Sequence, residues 1–274
     1  MATTAGEADA SERLDQADPL VAALSHPGTA RELNEDACGT HCEASCSLVV
    51  VADGVSGYEG GEIASQTAVE VLIRAFRDSP PAWGALKRLY RAAQQANIEI
   101  HDRALVVTEL RRMSTTLTAV VVQDGILYAA HVGDTRLYLI RDGSIVQKTK
   151  DHTVAADRAR IGLGMRAKDH PDRWTLTRSL GTDLIAAIDR ISFRLTKGDT
   201  LLVCTDGLYN VLEERELREQ VAGKDARSAC HALIEAANAR GTQDNLTAAV
   251  LNITTNASTT PSGWRVALDK LLGR

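Results

Sequence analysis

The chain has 274 residues, a formal net charge of −5, and a composition that is 44% hydrophobic, 24% charged and only 4% aromatic. That balance excludes a basic nucleic-acid footprint, and no run approaches the roughly 18 apolar residues that a membrane helix needs. The length suits one large domain or two small ones, with a core built from Val, Leu, Ile and Ala rather than from rings.

Residues 1–19 are small and acidic, and they lack the basic-then-apolar order of a signal peptide. They predict a mobile N-terminal tail on a cytoplasmic protein. From Leu20 the text becomes strand-like. The five cysteines, Cys38, Cys42, Cys46, Cys204 and Cys230, are an odd number, which is awkward for a disulfide framework. Three of them lie in CGTHCEASC beside His41. Thiolate and imidazole suit zinc, but C-x3-C-x3-C is not a usual zinc spacing. A cysteine-rich hairpin between two strands is the reading carried forward.

An apolar strand, LVVVADG, then runs into Asp53 and Gly54 and a glycine-rich turn. Two helices follow. GEIASQTAVEVLIRAF sets Ile63, Thr67 and Val71, with Ala64, Ala68, Leu72 and Ala75, along one face at three- and four-residue steps. WGALKRLYRAAQQANIEIHDRAL does the same with Leu86, Leu89, Ala93, Ala96 and Ile100. The period then switches to strands in TLTAVVV, GILYAAHVG and TRLYLIRDGSIVQKT, with QDG and RDG as tight hairpin turns. DTLLVCTDGLYNVL is a strand running into a helix, EERELREQV and DARSACHALIEAANAR are helical, and NLTAAVLNI is a last strand. Residues 254–274 read as a Thr/Ser/Asn/Pro linker and a short amphipathic helix around Trp264, Val266, Ala267 and Leu271. Antiparallel hairpins and consecutive helix pairs are not βαβ alternation; they predict packed sheets with helix layers outside.

The strand ends carry the chemistry. Asp53 (VADG), Asp134 (HVGD) and Asp206 (VCTDG) finish apolar strands, and Asp244 (TQDN) begins one. One Asp-Gly after a strand is an ordinary turn. Four carboxylates gathered at one sheet edge would repel one another unless cations joined them. Oxygen ligands without His or Cys point to Mg²⁺ or Mn²⁺, with the Gly54 carbonyl as a further ligand. In ARELNEDA, Arg31 offers a planar fork for phosphate beside Glu35 and Asp36, while the motif taken alone reads as a surface ion pair.

The motifs RELNEDA, VVVADGVSGYEGGEIAS, STTLTAVVV, HVGDTRLYLI, KDHT, LTRSLG, VCTDGLYNVL and TQDNLTAAV occur in that order. Over about residues 20–253 the chain resembles a bacterial member of the metal-dependent Ser/Thr protein phosphatases, the PPM or type 2C family. The resemblance implies an α+β fold, a four-layer αββα sandwich of two antiparallel sheets flanked by helix pairs. It implies two Mn²⁺ or Mg²⁺ ions, and possible use of a third. Asp53 would bridge the pair, with Gly54, Asp206 and Asp244 as ligands and Glu35 acting through water. Asp36 and Asn245 would stand behind them, Asp134 with Asp206 would take a third ion, and Arg31 would bind the phosphate. The reaction implied is in-line attack by a metal-bridging hydroxide on phosphoserine or phosphothreonine in proteins. A monomer opposing a cognate Ser/Thr kinase is the implied setting.

Where many eukaryotic relatives carry a His as general acid, this chain has Val55. Water is then the expected proton donor, with His152 and His170 as weaker candidates, and His131 reads as a core or supporting residue. Cys204 and Ser56 read as packing or turn residues rather than nucleophiles. A flap over about residues 154–175, with Gly162 and Gly164 as hinges, carries Arg158, Arg160, Arg166, Lys168 and Arg173. It is either a solvated charged loop or a surface favouring anionic phosphopeptides. A catalytically weak regulatory module on the same fold is the competing reading, and the full set of Asp53, Asp206 and Asp244 argues against it. A nucleotide or small-molecule phosphatase is disfavoured by the lack of a lysine-bearing P-loop.

Overall fold

Alternating apolar residues in the strands demand two covered faces, and the chain provides them with two five-stranded antiparallel sheets. The computed structural model describes residues 20–43, 46–55, 60–80, 82–162 and 171–256. The N-terminal tail, the C-terminal helix, Ser56, Gly164, Arg166, Lys168 and His170 lie outside those residues.

One sheet holds β1 (Val21–His26), β10 (Leu246–Asn252), β9 (Thr200–Cys204), β6 (Arg136–Arg141) and β7 (Ser144–Gln147), in that order. The other runs β2 (Asp36–Glu43), β3 (Cys46–Asp53), β4 (Leu117–Gln123), β5 (Ile126–Val132) and β8 (Asp189–Arg194). The QDG and RDG turns are two-residue hairpins. Asp124 and Gly125 adopt φ of 52° and 69°, and Asp142 and Gly143 adopt 50° and 72°. Those left-handed pairs match the strand twist, and Asp and Gly tolerate them.

Three apolar layers follow from the alternation. Val49, Val51, Val120, Leu127, Leu137, Leu201 and Val203 fill the space between the sheets. Leu48, Val50, Ala119 and Val121 face the other way, against α1 (Gly61–Arg77) and α2 (Ala85–Val106). Leu202, Ala248 and Val250 meet α5 (Glu214–Val221) and α6 (Ala226–Ala239) outside the first sheet. This is the expected αββα sandwich. On α1 the stripe is shifted from the predicted one: Ala64, Ala68, Val71 and Leu72 are buried, while Ile63, Thr67 and Ala75 are half-buried.

Two elements depart from the sequence reading. The first part of the flap is α3 (Val154–Arg160), capped by Thr153, whose Oγ1 accepts the Ala156 N–H at 3.2 Å. Capping turns this polar segment helical despite its weak apolar pattern. Strand β8 was not anticipated, although DRISFR alternates and turns Ile191 and Phe193 toward the inter-sheet core.

The cysteine question resolves as a hairpin. Cys42 stands opposite Ser47 and Glu43 opposite Cys46, so successive residues alternate faces. Cys46 joins the helix-side core, Cys38 lies against the inter-sheet core, and Cys42 is exposed. Burial raises the thiols of Cys38 and Cys46 to about 12 and about 11. Cys38 and Cys42 share one face of β2 while Cys46 lies on the other, so the three thiols do not converge on one ion.

At the end of the sandwich away from Asp53, the β8–β9 crossing is tied by Asp199, whose side chain is 1% exposed. Its carboxylate accepts two bonds from Arg141, both 2.7 Å, and two from the N–H and hydroxyl of Thr196, at 2.8 and 3.0 Å. Hydrogen bonds from Arg141 and Thr196 outweigh burial and hold its pKa below the usual carboxylate value. Asp199→Asn should cost about 2 kcal/mol, because the part-buried bonds from Thr196 and Arg141 lose their charged acceptor, while half-exposed Arg141 recovers water. A depressed folded pKa contributes stability above the unfolded value of about 4 that is lost as pH falls through the folded one. Denaturant melts should therefore show a difference at pH 7 that shrinks as pH falls below about 4; a difference that stays constant into acid would contradict the role assigned to the charge.

Candidate active site

The registers bring the flagged carboxylates to one end of the sandwich. Asp36 opens β2 directly opposite Asp53, which closes β3. Asp134 sits in the link from β5 to β6, where the chain crosses between sheets. Asp206 begins a single helical turn, α4 (Asp206–Tyr209), just beyond β9, and Asp244 lies two residues before β10. Asp134 and Asp206 thus lie just past their strands, and Asp244 just before its own.

Asp36 is the least exposed acid at this end of the sandwich, at 6%. Its Oδ2 accepts the hydroxyls of Thr205, just past β9 of the opposite sheet, at 2.8 Å and of Thr247, in β10 of that sheet, at 2.7 Å. Burial, resisted by those two bonds, lifts its pKa to about 7. Asp53 is raised well above the ordinary range by burial and by the neighbouring charges of Asp36, Asp206, Asp134 and Asp244. Burial, then Asp206 and Asp151, lift Asp134 to about 8; burial, then Asp244, lift Asp206 to about 6.

The backbone around Asp53 is held firmly. Its N–H donates to Thr116 Oγ1 at 3.0 Å, while its carbonyl accepts the Thr116 N–H at 2.8 Å and the Thr115 hydroxyl at 2.9 Å. The Gly54 N–H donates to the Glu35 carbonyl at 3.0 Å. A Cβ on Gly54 would collide with the Gly61 carbonyl, and one on Gly61 would strike Glu35 Oε1. Glu35 therefore places its carboxylate against the first turn of α1, where the helix dipole favours an anion.

Asn245 fastens the loop that carries Arg31 and Glu35. Its Oδ1 accepts the Glu35 N–H at 2.9 Å, and its Nδ2 donates to the carbonyls of Pro27 and Leu33, each at 2.9 Å. Arg31 stands in the mouth, with Nε donating to the Gln243 carbonyl at 3.1 Å and Nη2 lying 3.1 Å from Asp244 Oδ1.

Several contributors were not singled out from sequence. Arg136 pairs with Asp151, at 2.6 Å from Nη2 to Oδ2, and stacks over the Tyr209 ring at 3.6 Å. The Tyr209 hydroxyl donates to the Asp134 carbonyl at 3.1 Å, and Asn210 Nδ2 donates to Asp206 Oδ2 at 3.1 Å. Threonines 116, 205 and 247 in otherwise apolar surroundings were the available signal. His152 is turned away from the acids: its Nδ1 accepts the Gly133 N–H at 3.1 Å and its Nε2 faces Asp189 at 3.3 Å. His131 is fully buried, between Thr118 and the Lys150 carbonyl. Cys204 is buried with its thiol raised to about 12, in keeping with a packing residue.

The donor set is anionic, drawn from both sheets and composed only of oxygen, which fits hard divalent cations. As placed, no three His, Cys, Asp or Glu side chains among the described residues stand close enough together to enclose an ion. The acids lie near enough to raise one another's pKa, so bound cations would have to draw them in.

The family model for protein phosphatase 2C matches residues 28–251. The serine/threonine phosphatase stp of Listeria monocytogenes is 33% identical over 227 residues, covering 80% of this chain and 90% of that protein. Among solved structures, the serine/threonine phosphatase Stp1 from Staphylococcus aureus aligns with a TM-score of 0.80 at 27% identity, covering 85% and 94% of the two chains. The catalytic domain of the phosphatase PstP in complex with two manganese ions aligns with a TM-score of 0.75 at 31% identity, covering 85% and 97%. Sandwich and carboxylate cluster together define a divalent-metal-dependent phosphohydrolase. The chain belongs to the protein phosphatase 2C family, and that membership makes it a serine/threonine phosphatase.

Each raised acid has a folded pKa above its unfolded one. It therefore adds stability that is whole below about pH 4 and is lost as pH rises through about 6 to 8. In chelator the protein should melt at a lower temperature at pH 8 than at pH 6, and Mn²⁺ should raise the melting temperature more at pH 8. A chelated protein that is more stable at pH 8 would contradict the burial and mutual repulsion that raise these acids.

Proposed function

We propose that this chain hydrolyses phosphoserine and phosphothreonine in proteins, with Asp53, Asp206, Asp244 and the Gly54 carbonyl holding divalent cations and Glu35 contributing through water. The observation that carries this reading is the convergence of mutually repelling carboxylates from both sheets beside an arginine in the mouth. Bound divalent cations supply a water of lowered pKa and a clamp on the phosphoryl oxygens. Oxygen ligands accept Mn²⁺ and Mg²⁺ alike, and Asp134 with Asp206 is the place proposed for a third ion.

The chain's own groups do the rest. Arg31 presents its outward N–H groups to the phosphate, in line with the planar fork that phosphate recognition uses. Asn245, through Glu35 and Leu33, fixes the loop from which Arg31 reaches. Asp36 stays behind Asp53 as a hydrogen-bonded prop between the sheets. Val55 offers no proton and His152 is committed to Gly133 and Asp189, so water protonates the leaving alkoxide. Phosphorylated proteins and the cognate Ser/Thr kinase that the enzyme opposes are the proposed partners in the cytoplasm, with the protein acting as a monomer.

Phosphate release from a phosphothreonine peptide should depend on added Mn²⁺ and fall roughly 100-fold or more in Asp53→Ala. Arg31→Ala should raise the KM for that peptide more than it lowers kcat. A folded native protein inactive with both Mn²⁺ and Mg²⁺ would favour the regulatory-module reading instead.

A further inference from the structure

His152, only 4% exposed, sits where the flap leaves and rejoins the sandwich. It pairs reciprocally with Gly133, the residue before Asp134: the His152 N–H donates to the Gly133 carbonyl at 2.8 Å, and the Gly133 N–H donates to His152 Nδ1 at 3.1 Å. Nδ1 is therefore the acceptor, and the proton belongs on Nε2. That nitrogen faces Asp189 Oδ2 at 3.3 Å, and Arg178 Nη1 closes the group at 3.0 Å from Asp189 Oδ1. The His131 ring packs on the other side, with centroids 4.8 Å apart.

The same residue holds both strands of the flap root. Its carbonyl accepts the Thr177 N–H at 2.8 Å, Thr153 bridges Leu176, and the Val154 N–H donates to the Thr175 carbonyl at 2.9 Å. Beyond the root, the flap walls a cavity of about 420 Å³ whose lining includes Thr153, Ala155, Arg173 and Trp174 on one side and Asp134 and Tyr209 on the other. One wall thus belongs to the flap and the facing wall to the carboxylate end of the sheets. His152 is the residue that bonds to both.

We propose that His152 is a positioning residue, clamped by Asp189 and Arg178, that locks the flap root to the Gly133–Asp134 turn and so sets the width of the cavity beside the carboxylates. A cavity of this size receives a side chain flanking the phosphorylated residue of a peptide, and a small aryl phosphate does not reach it. The peptide consequence rests on the phosphatase reading; the mechanical coupling does not.

Hydrogen exchange on the metal-free full chain tests the coupling directly. In His152→Ala the amides of Gly133, Val154 and Thr177 should exchange about tenfold faster together, while those of Leu48–Ala52 in β3 stay unchanged. His152→Asn, whose amide oxygen stands in for Nδ1, should restore Gly133 protection to within about threefold. Asp189→Asn should loosen the same amides less, and it serves if the alanine variant does not fold. With Mn²⁺ present, His152→Ala should raise the phosphothreonine-peptide KM about fivefold and leave p-nitrophenyl phosphate hydrolysis within about twofold. Loss of protection at Gly133 alone, or uniformly across the fold, would overturn the coupling. Equal losses on both substrates would overturn the cavity role. A protein with no phosphatase activity would leave the exchange result standing and sink only the functional reading.

Discussion

Asp36 binds the two sheets together at the point where charge makes that hardest. Its carboxylate lies between Thr205 and Thr247 of one sheet while its backbone belongs to the other. Burial and the charges of Asp206 and Asp244 push against its ionisation, and the two hydroxyls push back. The other acids are set relative to it, since Asp53 is its register partner and Thr205 directly precedes Asp206. The protein thereby spends stability on a cluster of like charges, held at one end by apolar layers that continue along the rest of the sandwich. A buried acid supported on one side and repelled on the other is a common mark of a functional site.

The opposite end shows the same device without the repulsion. Asp199 is satisfied by four donors and ties the crossing between sheets. One end of the sandwich is closed by compensated charge, and the other carries more carboxylates than its Arg31–Asp244 pair offsets. Close backbone approach does the fine positioning between them. Gly54 and Gly61 have no space for a Cβ, so Glu35 can bring its carboxylate to the start of α1. Asn245 then serves as a staple for the Pro27–Glu35 loop, using both ends of its amide.

The flap is an addition to this frame, and its attachment is polar. His152 holds it through backbone and ring, with Asp189 and Arg178 beside the Nε2 edge of the imidazole. Burial and the Arg178 charge lower the His152 pKa, so the ring is neutral and free to accept from Gly133. Hydrogen bonds of this kind set distance and orientation more sharply than apolar contact does. That suits a segment whose far wall, Arg173 and Trp174, faces the carboxylate end across a cavity.

Periodicity alone separated helices from strands for most of the chain, because each strand buries alternate residues and each helix buries a stripe. The Asp-Gly and Asp-Asn steps at strand ends marked the site, since acids recur there without apolar reason. What stayed hidden were local capping and long-range contacts. Thr153 turns a polar segment into α3, and β8 is a short edge strand whose alternation is easily missed. Thr205 and Thr247 reach Asp36 across 169 and 211 residues of chain, and no local pattern reports such separations. The sequence by itself determined which residues alternate, where turns fall and which acids stand at strand ends, because those depend on neighbours in the chain. Only the tertiary structure decided that the acids share one volume and that His152 turns away to clasp the flap, because both depend on how two sheets stack.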